Sequence, residues 1–158
     1  RSANDACLAL AEHHSGSVER FVERMNERAQ RLALTGTHFE NPCGLDAPGH
    51  LSTASDLLRL GRFAAKFPSV AALAATPGLT IETRAGRRIA LRTTNALLGR
   101  LPGAMGLKSG YTAQAGRCAL VHAQRDGIDV WLVLLDAHDR WWTAAALVED
   151  AFHGARRD

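Results

Sequence analysis

The feature that most constrains the fold is a pair of apolar segments near the C-terminal end, separated by a tight-turn signal. Residues 118–124 and 128–135 flank Arg125-Asp126-Gly127. Because Asp-Gly is the strongest short signal for a β-hairpin, this pattern predicts two antiparallel strands. Every residue from Val130 to Leu135 is apolar, which is typical of an interior strand covered on both faces. We therefore expect both segments to be central strands of a sheet.

Helix-forming patterns occupy the first half of the chain. Strong helix formers fill residues 5–13, which directly follow Ser2 and Asn4, residue types suited to the start of a helix. Thr53 and Asp56 stand at the positions of a near capping box and predict the start of a later helix. The first half is therefore predicted to be helical.

The order of these patterns is that of an α+β protein, with helices first, antiparallel strands next and one more helix at the end. We divide residues 1–158 into a helical region at about 3–75, a hairpin at about 79–93, and core strands with a C-terminal helix at about 106–156. The chain length falls within the usual range for one domain, so these regions are expected to share one core.

Composition and motif spacing exclude several classes of function. Lysine and arginine total 19 against 16 acidic residues, and no basic run is long enough to indicate a nucleic-acid partner. Leu107 stands where a phosphate-binding loop needs a glycine before its lysine. The seven histidines lack a zinc-ligand spacing, and no G-x-S-x-G elbow occurs. We therefore expect no metal, no organic cofactor and no nucleic acid.

The cysteines leave their pairing open. Cys7, Cys43 and Cys118 are odd in number and lack a CxxC spacing, so neither a zinc knuckle nor a disulfide framework is indicated. Pairing with a cysteine outside this chain is an equally open alternative for Cys7 and Cys43. Cys118 opens an apolar strand and is interpreted as a small buried thiol.

Three short segments carry chemistry-bearing residues in a recognisable order. Ser2-Ala3-Asn4 opens a helix, Asn41-Pro42-Cys43-Gly44-Leu45-Asp46 lies in a loop, and Lys108-Ser109-Gly110 leads into a strand pair. Together they resemble the penicillin-binding proteins, whose signature combines Ser-x-x-Lys, S-x-N-like and K-T-G motifs. Further segments extend the resemblance to the low-molecular-mass D-alanyl-D-alanine carboxypeptidase group and its endopeptidase branch. These segments are residues 22–26, 34–42, 51–57, 94–98 and 106–112.

This resemblance implies a transpeptidase/β-lactamase-like fold, in which an antiparallel sheet carries helices on both sides. It also implies a serine peptidase that attacks the peptide bond beyond D-Ala in peptidoglycan stem peptides. Such an enzyme works through an acyl-enzyme intermediate with water as the acceptor, and β-lactams inhibit it covalently. The implied partners are peptidoglycan stem peptides and β-lactams, and the implied location is the periplasm or cell envelope of a bacterium.

The resemblance also assigns roles to five residues. Ser2 is expected to relay a proton at the cleft, and the Asn4 amide to hydrogen-bond the substrate peptide. Lys108 is expected to attract the substrate carboxylate, and its charge to lower the pKa of a second, nucleophile-activating lysine. Ser109 stands where the family usually has threonine and is expected to donate to that carboxylate. Gly110 is expected to let the substrate strand approach closely, because it has no side chain.

The nucleophile motif is the main departure from the family. No Ser-x-x-Lys occurs in the 158 residues, because Lys66 and Lys108 follow Phe63 and Met105 at the required offset. The chain also opens without an initiator Met or a signal-peptide pattern. We therefore expect an N-terminal segment of the same protein, which carries the nucleophile, to be missing. On this basis the domain is incomplete, and the chain alone is expected to be inactive.

Two other functions share these motifs. A catalytically inactive peptidoglycan-binding module of the same fold would keep the substrate groove through Asn4 and Lys108. A serine β-lactamase normally needs a deacylating Glu, and no residue here can be assigned that role. The motifs do not decide between carboxypeptidase and endopeptidase activity. Arg140 fits either a fork for a substrate carboxylate or a solvated helix start, and it stays outside the candidate site.

Overall fold

A computed structural model describes residues 2–155, so residues 1 and 156–158 of the predicted domain lie outside the described part. The elements alternate from helices to strands and back to a helix, as the sequence patterns predict. In chain order they are α1 (Asn4–Ser15), α2 (Val18–Arg31), α3 (Ala54–Ala64), α4 (Pro68–Ala74), β1 (Gly78–Glu82), β2 (Arg88–Arg92), β3 (Ala104–Thr112), β4 (Gly116–Arg125), β5 (Ile128–Leu134) and α5 (Arg140–Gly154).

Strands β3, β4 and β5 form an antiparallel sheet in that spatial order, while β1 and β2 pair separately. Asp126 and Gly127, which join β4 to β5, both have positive φ, at 52° and 80°. Such values are those of a tight hairpin turn and confirm the Asp-Gly prediction. Strand β4 pairs on both sides and is a central strand, as predicted. In the described residues β5 pairs on one side and forms an edge of the sheet, although its sequence is apolar on both faces.

One face of the sheet packs against α5 and forms the main core. On β4, side chains alternate between faces, so Ala119, Val121 and Ala123 all point to the same side and are almost fully buried. They belong to one buried cluster with the apolar stripe of α5, which includes Val148 and Phe152. This cluster fixes α5 on the sheet and thereby places the start of α5 beside the end of β3 and the start of β4.

The opposite face of the sheet is covered by α3. The helix approaches closely at Gly61, where an added Cβ would lie 2.5 Å from a methyl group of Leu120 on β4. Only glycine allows this approach, because any side chain at that position would overlap the leucine. The sheet therefore has helices on both sides, and the predicted α+β fold class is confirmed.

Capping differs between the first and third helices. The Thr53 hydroxyl accepts a hydrogen bond from the Asp56 backbone N–H at 3.1 Å, which confirms the predicted start of α3. The Asp56 carboxylate does not complete a capping box, since it accepts from the Gly36 N–H and the Thr37 hydroxyl, each at 2.8 Å. At α1, Ala3 is the N-cap and no side chain caps the helix, although the preceding residue types are suited to that role.

Candidate active site

The loop between α2 and α3 is organised by one asparagine side chain. The Oδ1 atom of Asn41 accepts from the backbone N–H groups of Cys43 and Leu45, at 3.2 Å and 3.0 Å. Its Nδ2 atom donates to the carbonyl of Leu45 at 2.8 Å. These side-chain bonds satisfy backbone groups that a helix or a sheet would otherwise pair, so the turn has a defined shape. We call residues 41–46 the connecting loop.

The connecting loop joins two parts of the chain that carry candidate residues. A disulfide links Cys43 to Cys7 in α1, and the Cys43 Sγ atom lies 3.7 Å from the carbonyl oxygen of Asn4. At its other end, the Asp46 carboxylate accepts from the backbone N–H of Gln114 at 3.3 Å, in the turn between β3 and β4. The first turn of α1 and the end of β3 are therefore both anchored to the same six residues.

Ser2 and Asn4 lie at the start of α1, next to this loop. Both residues are exposed, and Ser2 has a φ of 54°, a left-handed conformation that is uncommon for serine. Neither residue is hydrogen-bonded to Lys108 within residues 2–155. The structure thus relates α1 to β3 through the connecting loop rather than by direct contact.

Lys108, Ser109 and Gly110 follow one another on β3, whose outer edge carries no partner strand among the described residues. Such an edge presents backbone groups that an extended peptide can pair with. Ser109 is 8% exposed, and its hydroxyl lies 2.9 Å from the hydroxyl of Thr94. An added Cβ at Gly110 would come no closer than 4.0 Å to the neighbouring strand. Packing within the described residues therefore does not require glycine at this position.

Arg140 connects the start of α5 to this strand. Its Nη1 atom donates to the carbonyl oxygens of Gly110, at 2.5 Å, and Cys118, at 3.3 Å. The guanidinium group also lies over the ring of Trp141, 4.9 Å from its centroid. Arg140 is therefore not only a solvated residue at the start of a helix, since its side chain is hydrogen-bonded to the strand that carries Lys108.

The electrostatics of β3 centre on Lys108. Its Nζ atom contacts the carbonyl oxygen of Ser109, and part of its length is exposed. Desolvation of the ammonium group lowers the pKa of Lys108, and the positive charge of Arg140 lowers it further. Two cationic groups thus face the same short segment of β3, which creates a positive potential suited to a carboxylate.

Sequence reasoning missed two features of this region. The disulfide was not identified because cysteine counting alone does not pair Cys7 with Cys43. Thr94 lies in a segment that resembles the family, but no role was assigned to it. Cys118 was interpreted as a buried thiol, and the structure shows it free but only partly buried.

Two surface cavities are not lined by any of the five predicted site residues, although Arg140 lines one of them. One, of about 530 Å³, lies between α1, α2 and α3, and the other, of about 390 Å³, lies at the start of α5. In the described residues Ser2, Asn4, Lys108 and Gly110 are exposed, whereas Ser109 is buried. No helix in residues 2–155 has the length and apolarity needed to cross a membrane.

Comparison with known proteins relates this chain to one family. The family model described as D-alanyl-D-alanine carboxypeptidase matches residues 1–139. A D-alanyl-D-alanine carboxypeptidase of Bacillus subtilis, DacF, is 35% identical over 136 residues, which cover 86% of this chain and 35% of the relative. A D-alanyl-D-alanine endopeptidase of Pseudomonas aeruginosa is 32% identical over 142 residues, covering 89% of this chain and 46% of the relative.

A solved structure extends the similarity to three dimensions. The crystal structure of a D-alanyl-D-alanine carboxypeptidase from Mycobacterium tuberculosis matches with a TM-score of 0.86 and 33% sequence identity. The match covers 96% of this chain and 60% of the Mycobacterium tuberculosis chain. This chain thus spans less than two thirds of each of these proteins. The start of α1, the connecting loop and β3 all fall within the residues that the family model matches, and the chain belongs to the D-alanyl-D-alanine carboxypeptidase family.

Proposed function

We propose that the protein containing this chain is a serine D-Ala-D-Ala carboxypeptidase or endopeptidase of peptidoglycan stem peptides. The observation that carries the proposal is the connecting loop, which anchors the start of α1 at one end and the end of β3 at the other. These are the two segments whose residues are expected to flank an acylating serine. The region between the start of α1 and the free edge of β3 is here called the candidate groove.

In this proposal the substrate peptide adds to the free edge of β3 as an extended strand. Gly110 lets the peptide backbone approach, because it has no side chain between the two strands. Lys108 attracts the carboxylate of the residue that will leave, and Ser109 donates to it after its hydroxyl turns from Thr94. Across the groove, the Asn4 amide hydrogen-bonds the peptide and holds it in register.

The reaction needs a nucleophile that these 158 residues do not supply. We propose that a Ser-x-x-Lys motif in an N-terminal segment of the same protein contributes it. Its serine attacks the D-Ala carbonyl and forms an acyl-enzyme, while Ser2 relays the proton to the departing amine. Water then hydrolyses the ester. A β-lactam mimics the peptide and stops the reaction at the acyl stage. Because the nucleophile comes from another segment, the chain alone remains inactive.

The disulfide supports a location in the periplasm or cell envelope. Disulfides persist in oxidising compartments such as the bacterial periplasm and are rare in the cytosol. The bond between Cys7 and Cys43 lies within the candidate groove's framework, where its reduction would release α1 from the connecting loop.

A second candidate function is a catalytically inactive peptidoglycan-binding module of the same fold, which would keep Asn4 and Lys108 without a nucleophile. Labelling the complete gene product with a fluorescent penicillin separates the two. We expect covalent label in the native protein and at least about tenfold slower labelling in Lys108→Ala, while Lys66→Ala serves as a matched control with unchanged labelling. A folded native protein that takes no label, but still binds peptidoglycan, would establish the module instead.

A further inference from the structure

The connecting loop belongs to a longer closed loop, residues 38–51, whose two limbs are joined at the start. The backbone N–H groups of His38 and Leu51 each donate to the carbonyl of the other residue, at 2.9 Å and 3.0 Å. The side chain of Asn26 on α2 donates to the carbonyl of Phe39 at 2.8 Å and accepts from its N–H at 2.9 Å. The longer loop is therefore fixed to α2 just before the connecting loop begins.

One imidazole ring joins the two limbs directly beside the connecting loop. The Nδ1 atom of His50 accepts a hydrogen bond from the backbone N–H of Glu40 at 3.0 Å. The same nitrogen lies 3.5 Å from the Nδ2 atom of Asn41, and the ring packs edge-on against Phe39, with 5.8 Å between the ring centroids. Since Asn41 is the residue that organises the connecting loop, His50 supports that loop at its first residue.

The bond from Glu40 to His50 requires a neutral ring. A ring nitrogen accepts a hydrogen bond only while it carries no proton, so the neutral ring holds its proton on Nε2. Protonation places a second N–H on Nδ1, which then faces the N–H of Glu40. Two donors cannot bond to each other, so the Glu40 N–H loses its acceptor. The contact is therefore present in one protonation state of His50 and absent in the other.

The surroundings of His50 favour the neutral state. Desolvation lowers the pKa of His50, and the charge of His38 lowers it further, although the carboxylates of Glu40 and Asp46 act in the opposite direction. These three groups all lie in the connection between α2 and α3, and no helix or strand among residues 2–155 adds a charge that acts on the ring. The Glu40 carboxylate is paired with His38 at 3.1 Å.

The sign of the pH dependence follows from this lowered pKa. The folded protein binds fewer protons at His50 than the unfolded chain does, so acidification favours opening of the contact. The contact is complete above the usual histidine value of about 6.5 and is lost as the pH falls through the lowered pKa of the folded protein.

We propose that His50 is a positioning residue that holds the connecting loop in shape only while its ring is neutral. Asn41 passes this support on, because its side chain shapes the turn that contains Cys43. The disulfide of Cys43 then anchors α1, and the bond from Asp46 anchors the turn after β3. Acidification loosens the loop and, with it, the common anchor of the two segments. The effect on the reaction rests on the proposed function, in which these segments flank the substrate.

The test follows backbone amide resonances of the complete gene product by NMR from about pH 8 to about pH 5, the range in which histidine titrates. His50→Asn places an amide oxygen near the position of Nδ1, which accepts a hydrogen bond but does not titrate. His50→Ala removes the acceptor at every pH. His153→Asn, on an exposed position of α5, is the matched control, because it removes another histidine by the same substitution.

In the native protein we expect the amides of Glu40, Cys43 and Leu45 to shift together, with one midpoint below about pH 6.5. This transition should be lost in His50→Asn and kept in His153→Asn. Between pH 8 and pH 5, penicillin labelling should slow by about fivefold more in the native protein than in His50→Asn, a factor that corresponds to one lost hydrogen bond. His50→Ala should label slowly at both pH values.

A transition that persists in His50→Asn, or a midpoint at or above the usual histidine value, would overturn the inference. Equal pH dependence of labelling in the native protein and His50→Asn would also overturn it. The amide measurement needs no enzymatic activity. A native protein that shows the transition but takes no label at either pH would therefore refute the proposed function, while the dependence of the connecting loop on His50 would stand.

Discussion

Removing the disulfide between Cys7 and Cys43 should lower stability by a predictable amount. The bond closes a loop with a sequence separation of 36 residues. Loop-closure entropy for that length corresponds to about 4 kcal/mol of unfolding free energy at 25 °C. The variant Cys7→Ser/Cys43→Ser should lose this stabilisation. With a urea m-value of about 2 kcal/mol per M, the unfolding midpoint would fall by roughly 2 M.

The same variant should also lose function, because the disulfide fastens the start of α1 to the connecting loop. We expect slower penicillin labelling in the double variant and in the native protein treated with dithiothreitol. The double variant itself should not respond to dithiothreitol. Cys118→Ser is the matched control, since Cys118 is a free thiol, and it should keep the native midpoint. A loss of less than about 1 kcal/mol, or an equal shift in Cys118→Ser, would refute the reasoning.

Three further predictions test the fold and the site. Gly110→Ala should keep the native melting temperature but react with the fluorescent penicillin at least about tenfold more slowly. Gly61→Ala should instead lose about 1–3 kcal/mol of unfolding free energy through overpacking. Equal melting temperatures for the two variants would contradict this prediction. Asp56→Ala should lose about 2 kcal/mol, measured by urea unfolding, because a partly buried backbone N–H and a hydroxyl lose their acceptor. An unchanged midpoint would show that these bonds are dispensable. Because desolvation and then Arg140 lower the pKa of Lys108, labelling should decline with rising pH earlier than for an ordinary lysine. Arg140→Gln should move that alkaline limb to higher pH, and a limb that stays in place would show that the two charges do not interact.

Several elements of the fold could be predicted because their signals are local. The turn at Asp126 and Gly127 depends on two residues that tolerate positive φ. The start of α3 depends on the Thr53 hydroxyl, which accepts a hydrogen bond from the backbone N–H three residues later. The family resemblance likewise depends on short motifs, and the matched model confirms it. The roles of Ser2, Asn4, Lys108, Ser109 and Gly110 remain predictions.

Other features depended on packing between distant segments. Asp56 occupies a capping-box position, yet its carboxylate turns to Gly36 and Thr37 because the connection between α2 and α3 passes within reach. What covers the free side of β5 could not be predicted either, since an apolar strand indicates that it is covered but does not show what covers it.

By itself, the amino-acid sequence determined the helices and strands, the hairpin turn, the α+β class and the family, because each rests on periodicity or on residues close together in the chain. Only the tertiary structure decided that Cys7 pairs with Cys43, that Asp46 reaches the turn after β3, and that Arg140 holds the carbonyl of Gly110. These contacts join residues 30 to 68 positions apart, and their formation is set by how the sheet and helices pack. No spacing rule in a single sequence encodes such distances.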